Sequence, residues 1–258
     1  MAQAKVRLCV DHPLGRGQAV PLTQAQAHYL FSVMRLGLGD AVLLFNGRDD
    51  EWRAVVQVAT RRGGVLVCEE QTAPLRLPPD LWLVFAPIRK ERTAFVVEKA
   101  VELGAARILP VQTRFTNAER VRQDKLQAHA VEAAEQCGAT FVPEVMEVQP
   151  LGRVLDTWAA ERRILWCDEG LAGDGPVRSS ALTGVFAGRA GEDAREGGGA
   201  VPWAILVGPE GGFHGDEAAR LRAMPQVHAL RLGPRILRAD TAAVAAIALW
   251  QAALGDWG

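Results

Sequence analysis

The stretch from Ile205 to Thr241, ILVGPEGGFHGDEAARLRAMPQVHALRLGPRILRADT, contains two glycine-punctuated loops. The first, Gly208-Pro209-Glu210-Gly211-Gly212, follows the apolar run Trp203 to Val207. The second, Gly233-Pro234-Arg235-Ile236-Leu237-Arg238, follows Val227 to Leu232. Each loop stands at the carboxyl end of an apolar run and opens toward a helix. In open α/β sheets ligands bind where strands end and helices begin, so the two loops are expected to wall one small-molecule pocket. Taken alone, the glycines also suit plain tight turns.

Outward from this stretch the chain alternates. Leu81 to Ala86, Arg107 to Val111 and Arg163 to Cys167 are apolar runs, with helical stretches from Arg92 to Leu103 and from Arg122 to Gln136. Such alternation predicts a mostly parallel sheet with right-handed crossovers. A last helix is expected from Ala242 to Leu254, with Asp240 as its N-cap or as a partner for Arg238. The segment 184–200 is glycine-rich, charged and aperiodic, and reads as a mobile surface insertion.

Residues 1–72 read differently. Short runs at 41–45, 52–58 and 64–68, separated by Asn46-Gly47 and Gly63-Gly64, have the spacing of a small β-barrel, interrupted by one helix from Thr23 to Met34. The proline-bearing segment 73–80 then suits a linker, leaving 81–258 as a second domain.

The 258 residues, 49% of them hydrophobic, can bury a full core. No apolar run is long enough to span a membrane and no secretory signal is evident, so a cytoplasmic protein is expected. The four cysteines form no Cys-x-x-Cys pair and the five histidines have no metal-ligand spacing, so neither a metal nor a disulfide framework is expected. The thiols read as small core residues. A net charge of -1 excludes indiscriminate coating of nucleic acid, yet residues 76–125 carry ten Lys or Arg against six Asp or Glu. That local excess suits a phosphate-rich partner or an ordinary solvated surface. Phosphate-loop and dinucleotide glycine motifs are absent.

Several separated motifs, in order, resemble the ribosomal RNA small subunit methyltransferase E family of the knotted SPOUT superfamily. They are His28-Tyr29-Leu30 through Arg35-Leu36-Gly37-Leu38-Gly39-Asp40, Glu98 to Gly104, Glu135-Gln136-Cys137-Gly138, Leu206 to Gly212 and Leu232 to Arg238. The resemblance implies an N-terminal PUA-like barrel that binds RNA, then an α/β domain with a C-terminal deep trefoil knot, working as a homodimer. It also implies an S-adenosylmethionine-dependent methyltransferase acting on N3 of a uridine in 16S ribosomal RNA of the small ribosomal subunit. A SPOUT enzyme for a different RNA and a non-catalytic RNA-binding member are the two rival readings.

On that basis the cofactor would lie against Val207, Gly208, Pro209, Glu210 and Gly211 and against Leu232, Gly233, Ile236, Leu237, Arg238 and Thr241. Catalysis would fall to Arg238 and Arg235, stabilising charge on the uracil, while Glu210 or solvent accepts the N3 proton. Arg7, Arg35, Arg89, Lys90, Arg92 and Arg114 form the expected RNA-binding set. The homodimer is expected to use the last helix, whose Val244, Ile247, Trp250 and Leu254 read as apolar on more than one face. Three departures stand out: Ala239-Asp240 replaces a common Thr-Glu pair, Lys90 stands where glycine is common, and Phe115 replaces a common arginine.

Overall fold

A computed structural model describes residues 4, 6–117, 121–171 and 201–257. The insertion read at 184–200 lies outside them. The chain forms two compact units, Met1–Leu77 with Ala134–Val142, and Pro78–Ala133 with Pro143–Gly258. The break after Leu77 falls in the proline-bearing segment, and the return of 134–142 to the first unit had no counterpart in the sequence reading.

The first unit is built on a five-stranded sheet. Its strands are β1 (Arg7–Cys9), β2 (Ala19–Pro21), β3 (Ala41–Phe45), β4 (Glu51–Ala59) and β5 (Gly64–Ala73), in the order β1-β3-β4-β5-β2. Register shifts at Glu51/Trp52, Arg53/Ala54 and Val56/Val58 bulge the β4–β5 pair, and bulges increase local twist and bend a strand. Val20, Leu30, Val42, Leu44, Ala54 and Leu66 fill the core. Helix α1 (Gln24–Ala27) continues as a wider helical turn, His28–Val33. Thr23 caps it as expected: its hydroxyl accepts the Gln26 N–H while the Gln26 side chain accepts the Thr23 N–H. Strands β1 and β2, three residues each, are too short for any periodicity to reveal.

One RNA-binding expectation is corrected here. The Arg7 side chain is only 15% exposed and pairs with Glu51 at 2.7 Å. It also donates to the carbonyls of Ala134, Glu135 and Ala139 and lies over the Phe45 ring. With its donors taken, Arg7 ties 134–139 to the first unit and has none left for phosphate. Arg35, by contrast, is exposed, with a left-handed backbone of φ 57°.

The second unit is a parallel sheet. Its strands are β6 (Leu81–Phe85), β7 (Arg107–Gln112), β8 (Glu144–Val145), β9 (Gln149–Pro150), β10 (Arg163–Cys167), β11 (Trp203–Val207) and β12 (Val227–Leu230). The order is β12-β10-β11-β6-β7-β8, with β9 also on β7. β11 is buried at every residue because β10 and β6 flank it, which is why its sequence is a continuous apolar run with no alternation. Among the described residues its helices are α2 (Lys90–Glu102), α3 (Gln123–Cys137, whose residues from Ala134 onward count with the first unit), α4 (Leu151–Asp156), α5 (Gly215–Ala223) and α6 (Ala239–Leu254).

The chain runs outward from β6 to β7, β8 and β9, and then crosses to the opposite side of β6 for β10. β11 fills the gap between, and β12 adds beyond β10. This reversal is a topological switch point, the place where open α/β sheets hold ligands. It brings three carboxyl ends level, with Cys167 opposite both Val207 and Leu230.

Three further expectations change. Helix α6 begins at Ala239, not Ala242, with Arg238 at the N-cap position and Asp240 inside the first turn. Ile247 and Trp250 are 1% and 3% exposed within the protomer, so they cannot supply the exposed apolar face read for this helix. Gln251 is also fully buried and donates to the Leu103 and Gly104 carbonyls, closing α2 where Gly104 turns at φ 78°. Cys68 is buried, Cys9 and Cys167 are partly buried and Cys137 is exposed, so the core reading fails for Cys137.

Candidate active site

The three level strand ends of the second unit open into a cavity of about 280 Å³. Of the residues expected at the pocket, Val207, Gly208, Pro209, Glu210, Leu232, Gly233, Arg235, Ile236, Leu237 and Arg238 line it. The two glycine loops therefore do meet. Gly211 instead faces an adjoining groove, and Thr241 lies on the exposed side of α6 with its N–H bonded to the Asp240 carboxylate.

Strand-end logic applied to the first two loops missed a third wall. Cys167, the last residue of β10, and Asp168 and Glu169 just after it line the cavity with Gly212, Phe213, Leu230, Arg231, Ala239 and Ala242. The signal was present, since 163–167 is an apolar run of the same kind. What sequence lacked was the strand order that sets β10 beside β11 and β12.

Close packing fixes the glycines. A Cβ on Gly208 would stand 2.6 Å from the Phe213 ring, which packs edge-on against Trp166 at 5.7 Å. At Gly212, where φ is 70°, a Cβ would lie 2.1 Å from a Glu169 carboxylate oxygen. Side chains at either position would displace cavity wall.

The electrostatics carry both signs. Asp168 is buried, accepts the Arg222 guanidinium at 3.0 Å and accepts the Gly170 N–H. Burial, and secondarily the Asp168 charge, raises the Glu169 carboxyl above its ordinary range, so a cation placed nearby would favour its ionised form. Burial pushes the Cys167 thiol up to about 12, which keeps it protonated and unsuited to nucleophilic work. Arg231, Arg235 and Arg238 also line the cavity, as does Ala239 at the positive N-terminal end of α6.

Asp240 does not brace Arg238. Its buried carboxylate pairs with Arg92, and no carboxylate among the described residues pairs with Arg238 or Arg235. Arg92 thereby joins α2 to the start of α6. Arg89, Lys90 and Arg114 are exposed beside the β6 and β7 ends, and the Arg114 backbone N–H donates to Glu217.

A family model described as the RNA methyltransferase domain matches residues 75–251, and one described as the RNA methyltransferase PUA domain matches 22–67. The ribosomal RNA small subunit methyltransferase E of Mycobacterium bovis is 30% identical over 84% of this chain and 79% of its own length. The chain belongs to the ribosomal RNA small subunit methyltransferase E family. The Rickettsia conorii member of the family is 26% identical over 94% of this chain and 93% of its own. A crystal structure of the Neisseria gonorrhoeae family member bound to S-adenosyl methionine matches with a TM-score of 0.78 and 26% identity, covering 98% of this chain and 99% of that one. This methyltransferase E family thus accounts for both units, the PUA domain in the first and the methyltransferase domain in the second.

Proposed function

We propose that this family member transfers a methyl group from S-adenosylmethionine to N3 of a uridine in the 16S ribosomal RNA of the small ribosomal subunit. The observation that carries the reading is the meeting of both glycine loops with Asp168-Glu169 and a three-arginine loop around one cavity.

The lining fits such a cofactor. Phe213, Leu230, Leu232 and Leu237 offer apolar wall for an adenine ring. The bare backbones of Gly208 and Gly212 permit close approach, and Asp168 and Glu169 in the lining would supply carboxylates for the cofactor's cationic groups. The cofactor, when bound, supplies a methyl already activated on sulfur, so alignment is the main demand on the protein. Arg238, with Arg235 as second candidate, donates to the uracil oxygens as negative charge develops there. The N3 proton goes to Glu210 or to solvent, since no His or Lys is found among the described lining residues.

The PUA-like unit holds RNA, with Arg35 as its candidate contact; in the second unit Arg89, Lys90 and Arg114 are the candidate contacts beside the cavity. The C-terminal part forms a deep trefoil knot and the enzyme works as a homodimer in the cytoplasm, as the family resemblance implies. No helix among the described residues is long and apolar enough to cross a membrane, and none of their carboxylate, His or Cys groups clusters as a metal site.

Mass spectrometry of 16S ribosomal RNA from a strain lacking the protein tests the reading. One uridine should lose its methyl and regain it on complementation. Unchanged RNA would direct attention to a different RNA, and calorimetry with no S-adenosylmethionine binding would leave only the non-catalytic reading. Arg89→Ala should weaken binding to the RNA and flatten its log-log salt dependence by about one unit, the loss of one phosphate contact. An unchanged slope would remove Arg89 from the interface.

A further inference from the structure

Beside the cavity lies a second groove of about 370 Å³, lined by Arg89, Phe115, Asn117, Pro209, Glu210 and Gly211 among others. Pro209 and Glu210 line both spaces, so one loop is their common wall. Phe115 is 47% exposed in this groove.

Its exposure is not that of a loose side chain. The Glu217 carboxylate accepts the Arg114 N–H at 2.9 Å through one oxygen and the His214 N–H at 2.9 Å through the other, tying the loop that carries Phe115 to the glycine loop. The Phe115 ring packs edge-on against His214, with centroids 5.8 Å apart. Gly211 lets the two loops close, since a Cβ there would already touch the Phe115 Cβ at 3.4 Å. The fold thus holds an apolar ring half in water, at a hydrophobic cost, next to a cation and a reaction cavity. An exposed aromatic face with a neighbouring guanidinium and a side-chain amide is the arrangement that receives an unstacked base of single-stranded RNA. The ring stacks on the base, the guanidinium meets a backbone phosphate and the amide meets a base oxygen.

We propose that Phe115 is the stacking platform for the target pyrimidine, holding it against the Pro209-Glu210 wall so that its ring edge reaches into the cofactor cavity. This rests on the reading of the chain as a ribosomal RNA uridine methyltransferase. Asn117 and Arg89 complete the subsite, and Gly211 and Glu217 position the platform without touching RNA.

The test uses the full-length protein, labelled S-adenosylmethionine and small subunits from the strain lacking it. Phe115→Leu should lower kcat/KM by about 10- to 100-fold, the scale of losing one base–aromatic stack. S-adenosylmethionine affinity, thermal melting and the salt slope of RNA binding should stay near wild-type values, because no charge and no cavity wall is removed. Phe115→Tyr, which keeps the ring, should recover most of the loss. A Leu variant equal to the wild type, a Tyr variant as impaired as Leu, or a parallel fall in cofactor affinity would each overturn the stacking role. Failure of the wild-type protein to transfer methyl at all would instead overturn the functional reading.

Discussion

Replacing Arg238 with Ala is expected to slow single-turnover methyl transfer by about 10² to 10³, the usual cost of removing one preorganised donor from a charge-developing transition state. The structure makes the test cleaner than sequence suggested. Asp240 pairs with Arg92, so no described ion pair is broken when Arg238 is shortened. Its side chain makes no hydrogen bond to cap α6, which leaves stability within about 0.5 kcal/mol of wild type, as for an ordinary surface change. RNA binding should hardly move, and cofactor affinity must be measured in the same variant. A fall in affinity equal to the fall in rate would identify Arg238 as a brace of the 231–238 loop. A normal rate with both ligands bound would remove it from the chemistry and leave Arg235 as the candidate.

Gly208→Val should weaken cofactor binding through a route that sequence did not anticipate. A glycine at a strand end reads as room for the ligand, but the first atom a Cβ would strike is the Phe213 ring, 2.6 Å away. That ring is backed by Trp166, so it has little freedom to retreat and is driven toward the cavity. Overpacking of this kind costs about 1–3 kcal/mol. Expressed wholly in binding, that is about a 5- to 150-fold loss of affinity. Calorimetry should find the loss already measurable in Gly208→Ala. The double variant Gly208→Ala with Phe213→Leu should lose less than the sum of its parts, because the smaller side chain relieves the clash. Full affinity in Gly208→Val would show that this wall is not where the cofactor lies.

Sequence determined what depends on local pattern. Runs such as Trp203-Ala204-Ile205-Leu206-Val207 and Arg163-Ile164-Leu165-Trp166-Cys167 are apolar at almost every position because parallel strands are covered on both faces, and their bounds were legible. Thr23 announced a helix by its capping chemistry, and the two glycine loops marked ten cavity-lining residues in advance. Only tertiary structure decided which distant groups meet. Strand order placed Asp168 and Glu169 in the cavity, and nothing local distinguishes that strand end from those of β6 and β7, which open elsewhere. Arg7 and Arg92 looked like the other basic residues in composition, yet packing gave each a carboxylate partner 44 and 148 positions away. Apolar Ile247 and Trp250 likewise revealed that α6 would be buried but not by what. Periodicity reports how much surface a helix hides, while the identity of the surface that hides it is set by the chain's path.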